Sequence, residues 1–454
     1  MKLKHEFKID PLNPFGNCKL DRKKYAPELT NMLETFPDGF VMAIDNEWGT
    51  GKTTFVQMWQ ASIAKDYKTI YFNAWENDFD NDVLAALMGE LGTLKSSGTE
   101  TTFKEVVKNG AILSKNILPI LIEAAANKYI GEGVVSKVAA ELAKSSGEIM
   151  IEQVNEYANK KKGLVEFRDS LAKYIDKTKG GKPVVFIIDE LDRCRPDYAV
   201  EVLEKVKHFF SVKGIVFVLS INKNELKNAI HGVYNSPNIN ADDYLRRFID
   251  IEYSIPEPDK ERFCNYLYSY YEFASLVINN NGNNAFLNLA YTIFPINSTS
   301  LRQQEKIFAY ARIAFNDFDI SLYRKCNEVG FLLVYLKCIF PDFYRMLKQK
   351  QSSVQEICNR LQAILPMPLS DRHRLIAPES LLLFLYNEYY FFPNVPSLLG
   401  EAGLFLTFDI SPTNTDINEK FKNAFNDIYT NYEIYESHDL LKDLFENIDL
   451  INII

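Results

Sequence analysis

A seven-residue stretch, Trp48-Gly49-Thr50-Gly51-Lys52-Thr53-Thr54, limits what this chain can fold into more than any other feature. An apolar run at 40–44 precedes it and a helical pattern over 53–67 grows out of it. A strand, a glycine-rich turn and a helix in that order aim a ring of backbone N–H groups at one point, where the helix N-terminus adds partial positive charge. A triphosphate needs such a ring. Gly49 and Gly51 remove side chains where the backbone must curl close, Lys52 reaches the β- and γ-phosphates, and Thr53 offers a hydroxyl to Mg²⁺. The expected cradle is Asn46, Glu47, Trp48, Gly49, Thr50, Gly51, Lys52, Thr53 and Thr54, with ATP and Mg²⁺ as its cofactors. The usual pattern opens on a glycine where this chain has Asn46. Asparagine tolerates a left-handed backbone better than most residues, and the substitution is expected to be accommodated that way.

A second signal is Val184-Val185-Phe186-Ile187-Ile188-Asp189-Glu190. A buried strand ending in two acidic residues sets carboxylates at the C-terminal edge of a sheet, where α/β folds bind ligands. Asp189 is expected to hold Mg²⁺, through water, and Glu190 to orient or polarise the attacking water. Taken alone, a solvated acidic pair at a strand end would read the same way; Lys52 earlier in the chain favours the catalytic reading. Asp192 either supports the metal shell or pairs with Arg193 in the turn. Asn222 follows another apolar strand pattern, and it either contacts the γ-phosphate or the attacking water, or caps a loop. Arg246 and Arg247 are candidates for an arginine finger given in trans to a neighbouring subunit. Arg302, after a Ser/Thr turn, is a candidate phosphate reader from a following domain. For each arginine an ordinary surface or packing role is the competing reading.

Strand and helix patterns alternate from 40 to 255, which predicts an α/β unit with a parallel sheet. The expected fold class is a P-loop NTPase sheet flanked by helices, with a helical insertion and a mostly helical C-terminal region. The insertion spans about 101–162, where Val134, Val135, Val138, Ala139 and Leu142 recur at helical spacing. Residues 244–249 read as a helix, and Pro256 and Pro258 mark a boundary. The expected divisions are an N-terminal arm at 1–20, the NTPase domain at 21–258, a helical domain at 259–362 and a mixed or helical region at 363–454. Six cysteines without CxxC pairing, and an N-terminus with no apolar stretch, fit a cytoplasmic protein. No run of eighteen apolar residues exists, so no stable membrane span is expected. With 51 basic and 60 acidic side chains, overall charge does not draw the chain to nucleic acid, although a local basic patch stays open.

These segments, in order, resemble the KAP family of P-loop NTPases, within the additional-strand class. Trp48-Gly49 matches the tryptophan-glycine pair of its Walker A segment, and Phe72-Asn73-Ala74-Trp75 its motif after the second strand. Residues 188–194 resemble its Walker B segment, and Tyr244-Leu245-Arg246-Arg247-Phe248 its tyrosine-leucine-basic motif. The chain departs from the pattern at Asn46, at Glu190, where many members carry aspartate, and at Asn222, another frequent aspartate. Many members carry paired transmembrane helices between the Walker motifs; the insertion here is too polar for that. The resemblance implies an ATPase that changes assembly state or partner contacts, as a homo-oligomer, with a separate effector or a phage-derived protein as partner. Family links to phage exclusion imply a place in bacterial anti-phage defence. A nucleic-acid-stimulated translocase and a nucleotide-binding scaffold with little turnover are the competing functions.

Overall fold

The computed structural model describes residues 8–79, 82–111, 113, 149–235, 239–276, 285–315, 327–349, 352–366, 373–389, 415–430 and 440–450. The chain divides into two compact units, Phe7–Glu257 and Pro258–Ile454.

The first unit is built on five strands: β1 Val41–Asp45, β2 Thr69–Asn73, β3 Val184–Asp189, β4 Ile215–Ile221 and β5 Ile251–Ser254. All pair in parallel, in the order β2-β3-β4-β1-β5. The strand lying between β1 and β3 is β4, which is the arrangement of the additional-strand class. β3 and β4 are buried at every position because helices cover both faces, and this is why their sequences read as unbroken apolar runs. On one face Met42, Ile44, Val185, Ile187, Val216 and Val218 pack on Phe55, Val56 and Trp59 of the helix Lys52–Ile63. On the other, Ile70, Phe72, Phe186, Ile188, Phe217 and Leu219 pack on the helices Val83–Gly92, Ile149–Thr178 and Pro196–His208. Parallel strands bring all five C-terminal ends to one edge. Register there pairs Asn73 with Asp189, Asp189 with Ser220, and Ile44 with Ser220.

Several expectations need adjustment. The helix expected at 244–249 lies earlier, at Ala241–Leu245, because Asn240 caps it by accepting from the Asp243 N–H. Arg246 and Arg247 therefore follow the helix. Within the insertion, Glu100–Ala111 and Ile149–Thr178 are helical, and the second runs well past 162. They pack together: Gly110 lies against Met88 and Phe167, and the Asn109 side chain donates to the Glu166 carbonyl. Val134, Val135, Val138, Ala139 and Leu142 lie outside the described residues. No helix among the described residues is long and apolar enough to cross a membrane.

The second unit is helical throughout its described residues, from Lys260–Tyr270 to Leu440–Asp449. Phe294, Phe308, Phe331 and Tyr335 interlock at its centre with ring separations of 5.5–6.1 Å. Sequence reading missed the helix Ala285–Ile296, whose helical pattern is masked by uniform apolarity and by Pro295. Pro341 separates Asn327–Ile339 from Pro341–Gln349, since proline tolerates a first helical turn but not an interior one.

Candidate nucleotide site

β1 delivers the chain to Asp45, and the loop 46–51 returns it into the helix Lys52–Ile63. Gly49 and Gly51 stand at φ 77° and 82°, the left-handed region that an L side chain resists. Gly51 is the N-cap and supplies no side chain, so the first N–H groups of this helix are left open toward the loop. By contrast, Asp82, Asn222, Asn240 and Asp259 cap other helices of the chain with side-chain oxygens. An uncapped helix start behind two left-handed glycines is shaped for an anion.

Asn46 does not take the left-handed conformation expected of it: it is absent from the positive-φ residues. Its N–H donates to the Ile221 carbonyl at 3.2 Å, prolonging the pairing of β1 with β4. Its side-chain amide meets the other neighbour. Nδ2 donates to the Ile255 carbonyl at 2.8 Å and Oδ1 accepts the Ile255 N–H at 2.9 Å. Asparagine is thus present for its hydrogen bonds, not its backbone tolerance. Lys52 is buried, and its ammonium donates to the Asn46 carbonyl and, at 3.1 Å, to that of Glu47. Burial lowers its pKa, against the opposing pull of Asp192, Asp189 and Asp45. Thr50 donates from its hydroxyl to the Glu47 carbonyl at 2.9 Å, while Glu47 and Trp48 are exposed. Thr53 and Thr54 are half-buried in the first helical turn.

Asp189 ends β3 with a buried side chain. Its Oδ1 accepts the Glu190 N–H at 2.9 Å and its Oδ2 accepts the Tyr71 hydroxyl at 2.8 Å. Burial, and then the charge and hydrogen bond of Asp189, drive the Tyr71 pKa well above its ordinary value. Glu190 sits at φ 60°, a conformation uncommon for a non-glycine residue and one that turns its side chain out of the strand. Arg193 pairs with its Oε1 at 2.7 Å, and the Asn73 amide donates to its Oε2 at 3.3 Å. Burial raises the Glu190 pKa, Arg193 counteracts this, and Asp189 adds to the rise. Asp192 accepts the Trp48 indole N–H and does not pair with Arg193, which faces Glu190. Its carboxyl pKa is raised by burial, with Trp48 and Lys52 opposing.

Asn222 accepts from the Asn224 and Glu225 N–H groups at 3.1 and 3.5 Å, so its side chain is engaged as the cap of the helix Lys223–Tyr234. Arg246 is exposed and paired with Asp243 at 2.9 Å; Arg247 is exposed beside it. Arg302 is the exposed second residue of the helix Leu301–Ala314, in the second unit. Sequence reading passed over four residues. Asn73 belonged to a quoted motif with no role attached, and Tyr71 was given no role. Ser220, in register with Asp189, holds a fully buried hydroxyl without a protein partner. Arg22 is buried and donates from Nη1 to the Thr50 carbonyl at 2.6 Å, and burial lowers its pKa to about 10.

No group of three or more His, Cys, Asp or Glu among the described residues is placed to hold a metal by itself. Thr53 in the first turn of Lys52–Ile63 carries a hydroxyl, and Asp189 at the end of β3 a carboxylate. That donor set suits Mg²⁺, which takes one or two protein oxygens and completes its shell with phosphate and water.

No curated protein matches the chain. Among solved structures it is similar to one described as a DNA replication initiation factor, at 11% identity and a TM-score of 0.29, covering 98% of this chain and 100% of that one. It is similar to the Aeropyrum pernix ORC2 protein in ADPNP–ADP complexes at 13% identity and a TM-score of 0.34, covering 94% and 97%. Neither likeness is close enough to inform this chain. The model of the KAP family P-loop domain matches residues 22–275. That span is over half of the 454 residues and holds the phosphate loop, Asp189, Glu190 and Arg246, so the chain belongs to the KAP family of P-loop NTPases.

Proposed function

We propose that the chain is a Mg²⁺-dependent ATPase whose binding and hydrolysis of ATP drive a conformational or assembly switch. The observation that supports this is the meeting, at one sheet edge, of Lys52 and an uncapped helix start with two strand-end carboxylates, Asp189 and Glu190. Lys52 and the open N–H groups would bind the β- and γ-phosphates. Thr53 and Asp189 would hold Mg²⁺, which when bound offsets charge on the phosphate oxygens. Glu190 would orient the attacking water and accept its proton as the bond between the γ-phosphorus and the bridging oxygen breaks. Asn73 and Arg193 hold the Glu190 carboxylate, so turnover would require its release toward the water.

Arg193 also sets the acid limb of activity. Burial raises the Glu190 pKa and Arg193 is the first opposing influence. Hydrolysis needs the carboxylate, so activity falls as pH drops through that pKa. Removing the guanidinium raises the pKa further. In Arg193→Ala the acid limb of kcat will therefore move to higher pH, while Arg193→Lys restores most of the difference. A limb that stays in place in Arg193→Ala would separate Glu190 from the titration.

The switch is proposed to work between copies of the chain. Arg246 or Arg247 would complete a neighbour's site, and Arg302 would read phosphate from the helical unit. Specific activity should then rise with protein concentration, followed by phosphate release with parallel light scattering. An inactive Arg246→Ala subunit mixed with an inactive Glu190→Gln subunit should regain turnover, because one mixed interface keeps both groups. Full activity in a strictly monomeric sample rejects the finger. DNA and RNA belong in the same assay: strong stimulation by either would favour a translocase. On the family resemblance alone, we place the switch in bacterial anti-phage defence, with a separate effector or phage-derived protein as its partner. Loss of phage resistance in cells carrying Glu190→Gln tests that setting.

A further inference from the structure

Asn46 is the point in the phosphate loop where three parts of the NTPase unit converge. Its carbonyl holds the Lys52 ammonium, its N–H reaches Ile221 at the end of β4, and its side-chain amide grips both backbone groups of Ile255. Ile255 directly follows β5, and the chain passes into the helical unit at Pro258. We propose that Asn46 is a positioning residue that ties occupancy of the phosphate loop to the backbone at the exit from β5. This rests on the nucleotide-binding reading of the loop.

The coupling follows from the partners open to Lys52. Its ammonium donates to two carbonyls of its own loop, those of Asn46 and Glu47. A phosphate oxygen is a better acceptor for an ammonium than a neutral carbonyl, since both partners are then charged. Phosphate thus draws Lys52 away and leaves the Asn46 carbonyl without its donor. The peptide after Asn46 becomes free to reorient, while the Asn46 side chain stays bonded to Ile255. Any turn of Asn46 reaches Ile255 through two hydrogen bonds, one in each direction. A glycine at this position would give the loop the same path but has no amide to hold Ile255. The departure from the usual loop pattern is therefore what supplies the connection.

Amide hydrogen exchange reads this directly, because the Ile255 N–H is one of the bonded groups. In the full-length chain, exchange over peptides covering residues 251–258 is compared without ligand, with Mg-ADP, and with the Mg²⁺-bound β,γ-imido analogue of ATP. Calorimetry on the same samples measures binding. In wild type, the imido analogue should change protection at Ile255 more than Mg-ADP does. In Asn46→Gly, calorimetry gives the Kd, and exchange is compared with wild type at equal fractional occupancy of the loop. The Ile255 amide should exchange about tenfold faster without ligand, and the nucleotide response should vanish. Asn46→Gly that binds nucleotide and keeps the wild-type response at Ile255 overturns the proposal, as does a wild type that binds without any response there. Absence of binding in wild type fails the nucleotide reading itself, and calorimetry separates that result from the others. If Asn46→Gly does not fold, Asn46→Asp carries the test: it keeps an acceptor for the Ile255 N–H and loses the donor to the Ile255 carbonyl. Its nucleotide response should shrink, and a full response overturns the proposal.

Discussion

Glu190→Gln will bind Mg-ATP and turn it over slower by a factor of about 10² to 10⁴, the range expected when a positioned acid–base group is lost. The substitution keeps the shape of the side chain and its hydrogen-bonding capacity. It takes away the negative charge that attracts the proton of water. Binding should survive because the groups proposed to hold phosphate and metal are elsewhere: Lys52 and the open N–H groups on one side, Thr53 and Asp189 on the other. The Asn73 contact should persist, now to an amide oxygen, while the charge of the Arg193 pair is lost. Single-turnover assays that separate ATP binding from phosphate release will check this. Wild-type turnover in Glu190→Gln would remove Glu190 from the chemistry. Weakened binding with unchanged single-turnover rate would give it a part in holding nucleotide. The variant should also lengthen the life of the nucleotide-bound state, which makes it the preferred background for trapping an assembly.

How much of this site was legible in the chain depends on where each residue's partners lie. The strand, turn and helix around residues 46–54 were legible because local residue types specify them: glycines at fixed spacing between an apolar run and a helical pattern. The place of Asp189 and Glu190 at the C-terminal end of β3 was legible from the β-branched run that they close. The parallel sheet followed from apolar runs with no polar alternation, as in β3 and β4. What stayed hidden depends on contacts between residues far apart in sequence. Tyr71 gains its role only when β2 pairs with β3 and sets its hydroxyl on Asp189, 118 residues away. Asn73 reaches Glu190 across 117 residues, and Asn46 reaches Ile255 across 209. At position 46 the sequence could say only that a glycine was missing. Intrinsic conformational preference was the one principle available there, and it pointed to the wrong property of asparagine. Asn222 is a different case, because its N-cap bonds are local and a cap was one of the two readings open from the sequence.

Lys52→Ala should weaken Mg-ATP binding by about 10- to 150-fold, the equivalent of losing a charge-assisted hydrogen bond of about 1.5–3 kcal/mol. Its effect on the ligand-free fold should be far smaller, because opposing contributions are removed together. The ammonium is buried, and that burial lowers its pKa, a sign that its charge is costly to keep there. Removing it relieves that cost. It also takes a donor from the Asn46 and Glu47 carbonyls and a compensating charge from Asp192, Asp189 and Asp45. Lys52→Met is the better-matched variant, since it fills the space of the aliphatic stem without the charge. Thermal melts with and without ligand distinguish binding from folding. At a nucleotide concentration of about 100 times the wild-type Kd, binding adds about 2.7 kcal/mol to stability. If Kd rises about 100-fold, the same concentration adds only about 0.4 kcal/mol. The ligand-free melting temperature should therefore change little in Lys52→Met, while the rise on adding Mg-ATP nearly disappears. A full ligand-induced rise in that variant would mean that the phosphates are held without Lys52, and the loop would then lose its assignment as the nucleotide site.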